Sequence, residues 1–193
     1  AAAATAAAFV DYKSTAVSER GTDGTQLDHR TIRKVKQLGV GTFGEVWAGT
    51  CAGDEVAIKI PRFRKRLPSA MVQMLRKEVK VMCEKRHPNL LLLQGISVSE
   101  DADRFWIVTE LLETDLKSLL LERTFAMHEK LRMVTDIAKG LRWLHAPTTV
   151  LHLDLKLENI LVDRFMTLKV ADFGFSAIKT ARGASGLGAD GGG

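Results

Sequence analysis

The sequence predicts an α+β fold in two parts, a five-stranded antiparallel sheet with one helix and then a mainly helical part. Three patterns predict it. β-rich segments surround a glycine-rich turn over residues 32–60. Apolar residues then recur at helical spacing between Ser69 and Met82. After the apolar segments end near Leu112, a longer stretch with the same helical period covers residues 129–145.

The five strands are predicted from short apolar segments. Ile32–Leu38 and Glu45–Gly49 lie on either side of the glycine-rich turn, which is typical of a hairpin. Glu55–Ile60 is the predicted third strand. His87–Ser99 and Phe105–Glu110 supply two more, so we expect one small sheet.

The helix between the third and fourth strands carries an acidic residue on its apolar face. Ser69 can cap this helix, and Glu78 falls on the same face as the apolar positions. A carboxylate on a buried face costs free energy unless a cation pairs with it. Lys59, at the end of the third strand, is the predicted partner. The apolar positions are Met71, Val72, Leu75, Val79 and Met82.

The second part is predicted to be mainly helical. Thr114–Arg123 is a predicted short helix, and Glu129–His145 is a predicted amphipathic helix. A loop follows over Thr148–Asn159, and then two short strands, Ile160–Asp163 and Leu168–Ala171. The apolar positions of the longer helix are Leu131, Val134, Ile137, Leu141 and Leu144.

Composition excludes several classes of protein. With 193 residues, 46% hydrophobic and 26% charged, the chain lies in the range of ordinary globular proteins. The longest aliphatic run in its middle, Leu90–Leu93, is far shorter than the roughly 20 residues that cross a bilayer, so no membrane association is expected. Cys51 and Cys83 match no zinc spacing, and no basic residue precedes the opening alanines as in a secretory signal. We therefore expect an intracellular, cytoplasmic setting.

Charge alone does not identify a partner. The net charge is +5, and Arg62–Arg66 is a local basic cluster. No stripe of basic and aromatic residues continues this cluster, so we interpret it as a solvated connection between a strand and a helix. No nucleic-acid partner is expected, and the oligomeric state is not indicated.

The first candidate site is the glycine-rich turn. Its glycines allow backbone N–H groups to approach phosphate oxygens. A lone G-x-G-x-x-G pattern is also found in chance turns and in dinucleotide-binding loops, but the latter open a helix and here strand residues follow. A strand lysine, Lys59, comes shortly afterwards in Val56–Lys59. Paired with Glu78, it can be held over nucleotide phosphates.

The second candidate site is the sequence His-Leu-Asp-Leu-Lys-Leu-Glu-Asn at 152–159, followed by Asp-Phe-Gly at 172–174. With the glycine-rich turn, the strand lysine and the helical glutamate, these motifs occur in the order and spacing of eukaryotic-type protein kinases. Over about Ile32–Ser176 the chain resembles that family. The local sequence around Lys59 and the His-Pro-Asn at 87–89 are similar to those of the tyrosine kinase-like group of Ser/Thr kinases.

The resemblance implies a catalytic set and two cofactors, ATP and Mg²⁺. Asp154 matches the aspartate that accepts or orients the proton of the substrate hydroxyl. Asn159 and Asp172 match the Mg²⁺ ligands. Lys156 matches the lysine of Ser/Thr-specific members, which reaches the γ-phosphate. The implied function is transfer of the γ-phosphate of ATP to Ser/Thr hydroxyls of a protein substrate, with activity expected only in a full-length parent.

The resemblance also implies an ATP pocket. Thr109 matches the gatekeeper position, and the backbone groups of Glu110 and Leu112 are expected to bind the adenine edge. Met82, Leu93, His152 and Phe173 match side chains that stack between the two lobes. The expected nucleotide-binding residues are Leu38, Gly39, Val40, Gly41, Thr42, Phe43, Gly44, Val46, Ala57, Lys59, Thr109, Glu110, Leu112 and Leu161.

One position departs from the family pattern. Leu153 stands where many kinases have an arginine that pairs with a phosphorylated residue of the activation segment. A leucine cannot make that pair. We therefore expect that phosphorylation of Ser176, Thr180 or Ser185 does not switch activity by this route.

The resemblance divides the chain into four segments. Residues 1–30 are expected to be a disordered Ala-rich and polar tail, 31–112 the small ATP-binding lobe with its hinge, 113–176 part of the large lobe, and 177–193 a flexible, truncated activation segment and tail. Because no Ala-Pro-Glu segment follows, a C-terminally truncated kinase is expected, with the apolar face of the helix at 129–145 open to water. A nucleotide-binding scaffold and an inactive fragment stay open as alternatives.

Overall fold

The computed structural model describes residues 26–41, 44–61, 69–98, 105–146, 150–174 and 176–178. Most of the predicted tails at 1–30 and 177–193 lies outside these residues, as do the basic cluster at 62–66 and Thr42 and Phe43 of the glycine-rich turn. The described parts of the two tails carry secondary structure, because His29–Thr31 forms a 3-10 helix and Ala177–Ile178 pairs with Val150–Leu151.

The first part of the chain forms the predicted five-stranded antiparallel sheet, in the order β1-β2-β3-β5-β4. One helix lies between the third and fourth strands, as the helical spacing predicts. The elements are β1 (Ile32–Gly41), β2 (Gly44–Cys51), β3 (Asp54–Pro61), α1 (Ser69–Glu84), β4 (Leu93–Val98) and β5 (Phe105–Glu110).

Both faces of this sheet are covered by apolar side chains, because alternate residues of a strand point to opposite faces. On β5, Phe105 and Ile107 join the core beneath α1, whereas Trp106 and Val108 join a second cluster on the outer face. Leu27, from the segment that precedes β1, packs against that outer cluster. Apolar side chains therefore pack on both faces of the sheet.

The fourth strand begins at Leu93, so the prediction of a strand from His87 is wrong. The backbone of the preceding loop pairs elsewhere: the Val170 amide donates to the Asn89 carbonyl at 3.0 Å, and the Leu91 amide donates to the Val170 carbonyl at 2.9 Å. The Asn89 side-chain amide also donates to the Leu168 carbonyl at 2.9 Å. This loop therefore joins the first part of the chain to the second.

The described residues of the second part form two α-helices, a 3-10 helix at Leu157–Asn159 and two small sheets, one of order β6-β8-β9 and one formed by β7 and β10. The predicted helix at Thr114 begins later, because Thr114 pairs with Val162 and the Asp115 carboxylate caps the helix by accepting the Ser118 amide at 3.0 Å. The elements are β6 (Thr114–Asp115), α2 (Leu116–Glu122), α3 (Met127–His145), β7 (Val150–Leu151), β8 (Ile160–Val162), β9 (Leu168–Val170) and β10 (Ala177–Ile178).

Helix α3 is only partly covered. Leu144 is fully buried, whereas Leu131 and Val134 expose 60% and 62% of their surface. The expectation that its apolar face is open to water holds for Leu131 and Val134 and is wrong for Leu144. Within the described ranges, none of the helices combines the length and the apolar character needed to cross a membrane.

Candidate active site

A cavity of about 570 Å³ lies between the two parts of the molecule. Its roof comes from β1, β2 and β3, its back from the end of β5 and from residues 110–113, which we call the hinge, and its floor from the second part. The expected nucleotide-binding residues that line it are Leu38, Gly39, Val46, Ala57, Lys59, Thr109, Glu110, Leu112 and Leu161. Glu78, Asn159 and Asp172 line it as well.

The glycine-rich turn lies at the end of the β1-β2 hairpin, whose strands contribute residues to the roof of the cavity. Gly41 and Gly44 are paired residues that close the β1-β2 hairpin, and neither Val40 nor Gly44 is among the described residues that line the cavity. A Cβ at Gly44 would overlap the carbonyl oxygen of Ile60 on β3, so only glycine allows this close approach. A Cβ at Gly39 would meet no described protein atom within 4 Å, which leaves room for a ligand beside the backbone.

The predicted pair between Lys59 and Glu78 is confirmed. Lys59 Nζ lies 2.6 Å from Glu78 Oε1 on α1 and 3.6 Å from Asp172 Oδ1, with 25% of the lysine side chain and 6% of the Glu78 side chain exposed. Burial lowers the pKa of Lys59, but the Glu78 and Asp172 carboxylates together raise the pKa above its ordinary value. Burial raises the pKa of Glu78, and Lys59 offsets part of that rise. The amine therefore stays cationic at the cavity wall.

A second polar cluster borders the cavity at residues 154–159. Lys156 Nζ donates to Asp154 Oδ2 at 2.8 Å, and Asn159 Nδ2 donates to the same oxygen at 3.0 Å and to the Asp154 carbonyl at 2.8 Å. The hydrogen bond from Lys156 lowers the pKa of Asp154, partly opposed by desolvation and aided by Asn159. The pKa of Lys156 is raised by the same hydrogen bond. Asp154 is thus ionised at neutral pH.

His152 links this cluster to Ala171 and Phe173, the two residues on either side of Asp172. The buried His152 ring places Nε2 2.8 Å from the Ala171 carbonyl and accepts the Asp154 amide at Nδ1, at 3.3 Å. This arrangement requires the tautomer with the proton on Nε2. The ring also meets Phe173 edge-on, with centroids 5.6 Å apart. Met82, Leu93 and Phe173 share the core beneath, so the four side chains expected between the lobes are all buried.

Two residues beside the cavity have left-handed backbone. Leu153 and Asp172 both have φ of +63°, a conformation that costs an ordinary residue free energy. At Asp172 this conformation occurs directly before Phe173, whose ring is buried against His152. Packing of the Phe173 ring therefore helps to hold the Asp172 backbone in this conformation.

Comparison with known proteins agrees with this geometry. A family model described as protein tyrosine and serine/threonine kinase matches residues 32–186. The chain belongs to the protein kinase family. Kinases of this family generally use ATP and a divalent metal ion, and their substrates are proteins.

Several curated relatives carry kinase names. Dual specificity protein kinase shkD of Dictyostelium discoideum is 42% identical over 152 residues, which is 77% of this chain and 20% of the relative. Probable serine/threonine-protein kinase drkD of the same organism is 36% identical over 75% of this chain and 11% of its own length. Serine/threonine-protein kinase STY17 of Arabidopsis thaliana is 32% identical over 84% of this chain and 28% of its own length. The chain therefore spans less than a third of each of these relatives.

The kinase cavity also includes residues that sequence reasoning did not single out. Thr114 and Asp115 line it directly after the hinge, and Leu91 and Ile107 line it beside the gatekeeper position. In the sequence, nothing about these four residue types distinguishes them from ordinary surface or core residues. The position of Thr114 and Asp115, immediately after the predicted hinge, is the one feature that could have indicated them.

The structure also bears on the activation segment. Ser176 is buried, and its amide donates to the Phe173 carbonyl at 2.9 Å. Leu153 is largely exposed. The expectation that phosphorylation does not switch activity through Leu153 stays a prediction, and Thr180 and Ser185 lie outside the described residues.

Proposed function

We propose that this chain is the nucleotide-binding and phosphoryl-transfer part of a kinase that moves the γ-phosphate of ATP to Ser/Thr hydroxyls of protein substrates. In this proposal residues 31–112 are the small lobe with the hinge, and 113–176 are part of the large lobe. The observation that carries the proposal is that Lys59, Asn159 and Asp172, which are distant in the chain, line one cavity. Lys59 and Asp172 are 3.6 Å apart. Asp154 is not among the described residues that line it, but it is hydrogen-bonded to Asn159.

The nucleotide is proposed to lie with its base toward the hinge. Val46 and Ala57 form an apolar roof and Leu161 an apolar floor, which suits a flat ring. Backbone groups of Glu110 and Leu112 are the proposed partners of the adenine edge, beside the buried Thr109. The triphosphate is proposed to extend under the glycine-rich turn. Lys59, fixed by Glu78, supplies a cation there.

Mg²⁺ is proposed to be held by Asp172 and Asn159. Both side chains line the cavity and offer hard oxygen donors, which Mg²⁺ prefers. Among the described residues, Asn159 uses Nδ2 for its two hydrogen bonds to Asp154, so Oδ1 remains available as a ligand. The ion supplies charge neutralisation between phosphate oxygens when bound.

Asp154 is proposed to accept the proton of the substrate hydroxyl. Its lowered pKa keeps the carboxylate ionised, and Lys156 beside it is positioned to stabilise the transferred phosphoryl group. Lys156 also favours Ser/Thr over Tyr acceptors. Some relatives are named dual specificity kinases, so transfer rates to Ser, Thr and Tyr peptides should be compared. The hydroxyls of Ser and Thr are expected to react faster than that of Tyr.

The setting of this kinase is proposed to be intracellular and cytoplasmic. Both cysteines are free thiols, which suits a reducing compartment.

A phosphate-transfer assay tests the proposal. Asp154→Ala is expected to lower the rate by roughly 10²- to 10⁴-fold, because the general base is lost. Thermal shift with Mg-ATP should show that the variant still folds and binds nucleotide. Lys80→Met, which removes an exposed lysine on α1, is the matched control and should retain the wild-type rate. Nucleotide binding with equal transfer in wild type and Asp154→Ala would favour a scaffold instead.

A further inference from the structure

The side chain of Glu110 is held by two donors at the start of the hinge, the Lys169 amine and the Leu92 amide. Lys169 Nζ, on β9, donates to its Oε1 and Oε2 at 2.8 Å and 2.7 Å. The Leu92 amide donates to Oε1 at 2.9 Å, while the Glu110 amide donates to the Leu92 carbonyl at 3.1 Å. One carboxylate thus ties together the segment before β4, the hinge and the second part of the chain.

This pair is well placed to fix the hinge backbone. The side chains of Lys169 and Glu110 expose only 13% and 20% of their surface, so water screens the pair weakly. Hydrogen bonds between ionised groups are shorter and stronger than neutral ones. In contrast, Lys80 and Glu84 on α1 are 3.8 Å apart and about half exposed, and such pairs contribute little.

Lys169 also connects the hinge to the floor of the cavity. It pairs across the β8-β9 ladder with Leu161, which lines the floor, whereas Glu110 lines the back. The Glu110 carbonyl, one of the proposed adenine partners, accepts the Thr109 hydroxyl at 3.2 Å. Lys169 is not among the described residues that line the cavity, so its amine acts on a ligand through the Glu110 carboxylate that it binds.

We propose that Lys169 is a positioning residue for recognition of the purine, because it holds the Glu110 backbone at the distance from the floor that a 6-aminopurine needs. This inference rests on the proposed function and deepens it. Adenine presents an amino donor beside a ring nitrogen acceptor, whereas hypoxanthine presents a carbonyl acceptor beside an N–H donor. A hinge held in one position distinguishes these two patterns, and a loosened hinge does not.

Calorimetric titration of the 193-residue protein with Mg-ADP and Mg-IDP tests the inference. In wild type, ADP is expected to bind more tightly than IDP. Lys169→Met should weaken ADP binding about tenfold and IDP binding by less than about twofold, because roughly one hydrogen bond to the amino group is lost. Lys169→Arg should restore most of the preference, since arginine can also bind a carboxylate bidentately. Lys80→Met, the matched control, should leave both affinities unchanged.

The outcomes separate this inference from the proposed function. An equal loss of ADP and IDP affinity in Lys169→Met would mean a merely structural role and would overturn the inference, as would unchanged binding of both. If wild type bound neither nucleotide, the proposed function would fail and the inference with it. Wild-type preference for ADP together with no effect of Lys169→Met would leave the function standing and refute only the role of Lys169.

Discussion

Helices α1 and α3 are both amphipathic, and each buries one acidic side chain, yet the two acids differ in partner and in consequence. Glu78 on α1 is 5% exposed and pairs with the Lys59 amine, which lines the cavity. Asp136 on α3 is 9% exposed and accepts the Leu168 amide of β9 at 3.2 Å. A buried carboxylate therefore marks a place where a donor is required, and only the identity of that donor separates a site residue from a structural one.

The two helices also differ in how fully they are covered. The described apolar side chains of α1 (Leu75, Val79, Val81 and Met82) are buried, with Cys83 half-buried. On α3, Leu144 and Met133 are buried, but Leu131 and Val134 are mostly exposed. Among the described side chains, similar helical patterns thus give buried apolar residues on α1 and a partly open face on α3.

The largest expected effect is on the covered side of α3. Leu144→Ala removes a fully buried side chain and should lower the free energy of unfolding by about 2–5 kcal/mol, because contacts are lost and a cavity remains. Leu131→Ala, the matched control on the open side, should change it by less than about 0.5 kcal/mol. Urea unfolding measures both. Equal losses would show that the two sides of α3 are packed alike.

A smaller effect should distinguish the two buried acids. Asp136→Ala leaves the Leu168 amide without its acceptor and should cost about 1–3 kcal/mol of stability, while turnover per folded molecule stays unchanged. Glu78→Gln should instead reduce turnover by roughly tenfold or more, because Lys59 is no longer held in position. Unfolding and initial-rate measurements on both variants check this. The comparison breaks down if Asp136→Ala lowers turnover per folded molecule as much as Glu78→Gln does.

The smallest effect concerns the Asp154 carboxylate, which lies on neither helix. Lys156 holds the pKa of Asp154 below its ordinary value, so the carboxylate stays ionised as the pH falls. Lys156→Met should raise that pKa toward its ordinary value and move the acid limb of the kcat/KM profile to higher pH. The limb should not move in Lys80→Met. A shift of the Lys156→Met limb to lower pH would contradict the assignment.

Much of the site could be predicted because its residues occur in short motifs. The pairing of Lys59 with Glu78 followed from one physical argument, the cost of a buried carboxylate, without knowledge of the fold. The sheet followed from its strand pattern. The loop at 87–92 was missed because the apolar run Leu90–Leu93 has strand character, whereas the Asn89 and Leu91 backbones pair with β9.

The pair formed by Glu110 and Lys169 could not be predicted in the same way. The two residues are 59 positions apart, and neither belongs to a motif that names the other. A glutamate at the end of a strand and a lysine in the middle of a short one are most often solvated. Nothing local indicates that these two meet.

By itself the sequence determined most of the longer strands and helices, the family and the chemical character of the site, because periodicity and motif spacing are local properties of the chain. Only the tertiary structure decided which buried acid faces a cation and which faces a backbone amide, and how the hinge is joined to the cavity floor. These contacts depend on segments distant in the chain coming together, and the free energy of a polar group is set by the partner it then meets.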